Sequence, residues 1–74
     1  MLRVTLYHQR ESRFDGTATE VVLPGEEGEG SVLSFHAPML CALTSGEILI
    51  DEARFPVRSG IACVQRNRVT ILAD

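Results

Sequence analysis

Few side chains in this sequence could do chemistry, and their spacing decides which chemistry is open to them. His36 lies near Ser34 and Cys41 in the chain, with Asp15 further back. Hydrolysis by a nucleophile, base and acid needs all three groups within hydrogen-bond reach of one another. Nothing in this spacing sets that up. An isolated His beside a turn serves better as a structural hydrogen-bonding group, and Ala37-Pro38 supplies the turn. A small hydrolase using His36 with Cys41 or Ser34 is the weakest reading, and no catalytic residue is assigned.

The run Gly25-Glu26-Glu27-Gly28-Glu29-Gly30 has the glycine content of a phosphate loop. It lacks the Lys and Ser/Thr that a phosphate loop needs, and its three carboxylates would repel phosphate. The composition predicts a solvated acidic loop.

Cys41 and Cys63 are the only cysteines, and both sit in apolar runs, Leu40 to Leu43 and Ile61 to Val64. Such a Cys behaves as a small hydrophobe, so a reduced, cytosolic setting without a disulfide is expected. His8 and His36 are too far apart for metal-ligand spacing. No metal or other cofactor is expected.

The seven basic residues are all Arg, and the net charge is −3. A weakly acidic chain lacks the basic footprint of a nucleic-acid binder. No apolar run nears the roughly 20 residues of a membrane span, and Met1-Leu2-Arg3 does not open a signal peptide. A chain of 74 residues is one domain. It buries only about 60% of its unfolded surface, and a partner surface is the expected support.

Periodicity of two runs through most of the chain. Leu2, Val4 and Leu6 alternate with Arg3, Thr5 and Tyr7, as in a half-buried strand. Phe14-Asp15-Gly16 reads as a turn. Ala18 to Leu23 reads as a strand stopped by Pro24-Gly25, and Gly25 to Gly30 as a loop. Further strands are expected at Met39 to Leu43, Glu47 to Ile50, Ala53 to Val57, Ile61 to Val64 and Val69 to Leu72. Pro56 favours an edge position, and Arg66-Asn67-Arg68 a tight turn. No stretch carries a helical stripe. The pattern predicts an all-β domain, an antiparallel sandwich or barrel with no substantial helix.

The same residues, in order, resemble a known family. Phe14-Asp15-Gly16, Val21-Val22-Leu23-Pro24-Gly25, Gly28-Glu29, His36-Ala37-Pro38, Ala42-Leu43, Ser59-Gly60-Ile61 and Val69 to Asp74 are similar to the epsilon subunit of F-type ATP synthases, called delta in mitochondria. Leu-Pro-Gly alone is a weak signal, whereas the ordered set is strong and covers nearly the whole chain. The resemblance implies a flattened sandwich of about eight to ten short strands. It implies a non-catalytic part of the rotating central stalk, at the cytoplasmic side of a bacterial plasma membrane, binding the gamma subunit and the ring of c subunits. The coupling ion, proton or sodium, stays open. The chain ends at Asp74, where the family continues into a helical hairpin, so coupling without inhibition is expected.

On this resemblance, Glu26, Glu27, Glu29, Ser31 and His36 are expected to face the ring as one base. Met39, Leu40, Leu43 and Phe55 are expected on the gamma-binding face. An exposed face of this kind would also let isolated copies pair. The sequence departs from the family where Gly is usual at Ser31 and Pro-Gly at Ser34-Phe35, which leads us to expect a rebuilt turn with negative φ at Phe35. The competing reading is a free-standing β-sandwich binding module that shares only the fold.

Overall fold

Alternation along the first strand puts Leu2, Val4 and Leu6 in the interior and turns Arg3 and Tyr7 outward. The same rule organises the rest of the chain. The computed structural model describes all 74 residues and contains no helix. Its strands are β1 (Leu2–His8), β2 (Glu11–Ala18), β3 (Glu20–Gly25), β4 (Gly28–Leu33), β5 (Met39–Leu43), β6 (Gly46–Ile50), β7 (Ala53–Val57), β8 (Gly60–Gln65) and β9 (Arg68–Ala73).

Pairing runs β2-β1-β9-β8-β5-β3-β6-β7, with β4 on the free side of β3. All pairs are antiparallel except β1 with β9, which is parallel. The link between β5 and β3 is the single register pair Gly25↔Leu43, and there the ribbon folds over. One layer is then β2-β1-β9-β8-β5 and the facing layer is β4-β3-β6-β7. Fifteen buried apolar side chains form one core between them, including Leu6, Leu23, Ile48, Ile50 and Ile71. The expected all-β sandwich is what the chain forms, and Pro56 sits on β7, at the end of the strand order.

Loops collect at two ends of the sandwich. Gln9-Arg10, Glu26-Glu27, Thr44-Ser45 and Arg58-Ser59 lie with Asp74 at one end. Thr19, Ser34 to Pro38, Asp51-Glu52 and Arg66-Asn67 lie at the other.

Three expectations are corrected. Phe14-Asp15-Gly16 is not a turn but the middle of β2, paired with Leu6, Thr5 and Val4. The reversal comes earlier, at Gln9 (φ 51°) and Arg10 (φ 71°), neither of which is the Asn or Gly that would announce two left-handed residues. The segment from Gly25 to Gly30 is not wholly a loop. Only Glu26-Glu27 turns, and Gly28 to Gly30 belong to β4, whose one buried side chain is Val32. An edge strand held by one neighbour tolerates this glycine content because pairing with β3, rather than propensity, holds it. Phe35 has φ +66°, not the expected negative value, so it takes the left-handed conformation that Gly adopts readily.

Candidate functional site

The outer surface of the five-stranded layer should be polar if it faces only water. Cross-strand register instead aligns four apolar residues across it. Tyr7 pairs with Leu72, Leu72 with Ile61, and Ile61 with Ala42. Directly paired residues share a face, and Tyr7, Leu72, Ile61 and Ala42 are all exposed. One row further, Leu40 pairs with Cys63, and Leu40 is 72% exposed. Isolated exposed hydrophobics are ordinary, whereas a contiguous band marks a contact surface.

The residues expected on a gamma-binding face divide. Leu40 lies in the band. Met39 is half-buried and packs on the core. Leu43 is only 5% exposed, because the sheet folds over at its pairing with Gly25; it is core and offers no face to a partner. Phe55 lies on β7 in the opposite layer, against Phe14, and does not join Leu40. Sequence reasoning missed Tyr7, Ile61 and Leu72. The available signal was strands with apolar residues at both parities, such as Ile61-Ala62-Cys63-Val64, where one face must be left over.

The expected ring-facing base also divides. Glu26 and Glu27 form the tip of the β3–β4 hairpin, with Glu29 close by on β4. His36 lies beyond the other end of β4, about 20 Å away at the rise of a strand. Ser31 is exposed between them. These residues therefore line one edge of the sandwich but do not form one loop. A groove of about 490 Å³ runs beside the hairpin, bringing Glu26, Glu27 and Glu29 next to Met39, Leu40 and Ala42. Acidic hairpin and apolar band thus meet at β5.

The structure does not assemble a nucleophilic site from the groups that could have formed one. The His36 ring nitrogen Nδ1 lies 2.7 Å from the carbonyl of Ala37, so it donates there. Asp15 is paired with Arg3. Asp15 on β2 and Cys41 on β5 are on the two outermost strands of their layer, about 19 Å apart at the usual strand spacing. Cys41 packs on the core side while Cys63 shares the outer face with Leu40, so neighbouring strands hold the two thiols on opposite faces.

Comparison with known proteins agrees with this architecture. A family model described as the beta-sandwich domain of the ATP synthase delta/epsilon chain matches residues 1–74. The chloroplastic ATP synthase epsilon chain of Tetradesmus obliquus is 34% identical over 99% of this chain and 57% of its own length. The ATP synthase epsilon chain of Bordetella parapertussis is 38% identical, again over 99% of this chain and 56% of its own. The chain therefore spans rather more than half the length of these relatives. Among solved structures, a chain of the Euglena gracilis mitochondrial ATP synthase superimposes with a TM-score of 0.85 at 23% identity, covering 97% of this chain and 49% of that one. One from the Tetrahymena thermophila central stalk and c-ring gives 0.77 at 18% identity, covering 97% and 62%. At such identities these two speak for the fold alone. The match over the full sequence is decisive: the chain belongs to the ATP synthase delta/epsilon chain family and carries its β-sandwich domain.

Proposed function

We propose that this domain is a non-catalytic coupling element of the central stalk in a proton- or sodium-driven F-type ATP synthase. It binds the gamma subunit through the outer face of the five-stranded layer, and it meets the c-ring through the β3–β4 hairpin. The observation that carries this reading is the apolar row Tyr7, Leu72, Ile61 and Ala42, continued by Leu40, on a face that water alone would leave polar. Burying such a row releases about 25 cal/mol for each Å² of apolar surface removed from water. The carboxylates of Glu26, Glu27 and Glu29 stand at the hairpin, where a basic partner loop would set register by charge.

The domain sits peripherally, on the cytoplasmic side of a bacterial plasma membrane, and catalysis belongs to other subunits. Co-expression with the gamma subunit from the same source tests the reading. A one-to-one complex that survives gel filtration is expected. If the domain elutes alone, and equally so with Ile61→Asp in place, the stalk assignment fails.

A further inference from the structure

Phe35 is the most exposed large apolar side chain of the molecule, at 89%, and its backbone has φ +66°. It is the second central residue of a turn closed by the His36 N–H donating to the Leu33 carbonyl at 3.2 Å. A turn with positive φ at that position, as in type II geometry, calls for Gly or Asn. An aromatic residue there is strained and gains no core packing in return. The strain is held by a second contact: the Phe35 N–H donates to the Asn67 side-chain oxygen at 2.6 Å. Asn67 is itself left-handed, at φ 59° in the β8–β9 turn. Two turns thus lock each other and hold one phenyl ring out in water.

The backbone that carries the ring is fixed by these two bonds, so little main-chain entropy is left to lose on binding, and exposed aromatic side chains are enriched at interface cores. The charges around it indicate the partner's chemistry. Arg66 and Arg68 flank Asn67, both are exposed, and neither takes part in any of the three ion pairs of the chain. His36 follows Phe35 directly. The acidic hairpin lies at the other end of β4; the carboxylates that share the Phe35 end, Asp51 and Glu52, belong to the β6–β7 turn, and Asp51 is bonded to the Thr19 and Glu20 N–H groups.

We propose that Phe35 is an anchor that enters an apolar socket rimmed by carboxylates on a protein partner, with Arg66 and Arg68 pairing to that rim. This rests on the stalk reading, in which the acidic hairpin faces the ring. The Phe35 end then points away from the ring, and its partner is the gamma subunit.

Three variants of the whole chain, titrated against the gamma subunit from the same source, test the anchor. Phe35→Gly suits the positive φ, so its melting temperature should equal or exceed that of the parent. Its dissociation constant should nonetheless rise roughly thirtyfold, the scale of a hot-spot truncation. Phe35→Asn, which also tolerates the turn, should behave alike. Arg66→Glu combined with Arg68→Glu should slow association and abolish its acceleration at low salt. Parent-like affinity in Phe35→Gly and Phe35→Asn would overturn the anchor while leaving the stalk reading standing. A parent chain that does not bind gamma at all would overturn both.

Discussion

Phe14 and Phe55 meet edge to face, with ring centroids 6.1 Å apart and planes at 75°. Phe14 lies on β2 and Phe55 on β7, the two ends of the strand order, and these strands share no ladder. Where backbone hydrogen bonds do not close the sandwich, this aromatic contact does. Edge-to-face pairs add about 0.5–1.5 kcal/mol beyond their buried area. Phe14→Ala and Phe55→Ala should each lower stability by about 2–3 kcal/mol, since both rings are only partly buried. Urea unfolding of both single variants and the double variant should give a coupling of about 1 kcal/mol. Strict additivity would remove the clasp.

Asp51 secures the opposite end. Its carboxylate accepts from the Thr19 N–H at 3.0 Å and the Glu20 N–H at 3.0 Å, while its own N–H donates to the Glu20 carbonyl. Asp51→Ala loses the carboxylate bonds, keeps the backbone N–H bond, and places Ala at φ 52°. A loss of about 1–2 kcal/mol is expected, with Asn at this position recovering part of it because Asn tolerates left-handed backbone. For a domain of this size that is a fall of about 4–15 °C in melting temperature. An unchanged melting temperature for Asp51→Ala would show that water replaces the carboxylate at no cost.

Gly60 cannot carry a side chain. A Cβ there would press into the Leu72 carbonyl oxygen and lie 3.0 Å from the Ala73 Cα, both backbone atoms of the paired strand. Gly60→Ala should therefore cost about 2 kcal/mol or more, whereas Gly30→Ala, with open space around it, should cost less than about 1 kcal/mol. Chemical denaturation of the two variants side by side checks the contrast. Equal losses would contradict the register of β8 against β9.

The ion pair of Arg3 with Asp15 should matter little. Both side chains are about half exposed, at 49% and 57%. Exposed pairs contribute about 0–1 kcal/mol. Asp15→Asn should shift the melting temperature by no more than a few degrees, and less in high salt than in low. A large loss would mean that the pair also fixes the β1–β2 register.

What could be read in the sequence follows from where packing and pairing act. The alternation of Leu2, Val4 and Leu6 marks a buried face, and it gave the strand directly. Seven of the nine strands were anticipated in outline, because a half-buried strand writes its period into the chain. β4 was not, since Gly28-Glu29-Gly30 has no strand propensity and is held by β3 alone. Gln9-Arg10 was missed because a two-residue reversal was forced there by flanking strands rather than by Gly or Asn. The site was harder still. Tyr7, Ile61, Leu72 and Ala42 are neighbours only through register across four strands, a relation absent from local spacing. Leu43 looked like its neighbours in composition, and only the fold-over at Gly25 makes it core.

The central claim is that the outer face of the five-stranded layer is a docking surface for gamma. Its most direct test is a binding titration of this chain against gamma with Ile61→Asp and Leu72→Asp. These residues are exposed, so both variants should keep the melting temperature of the parent within a few degrees, and both should lose the complex. A parent that binds one-to-one and variants that bind equally well would contradict the claim and move the interface to another face.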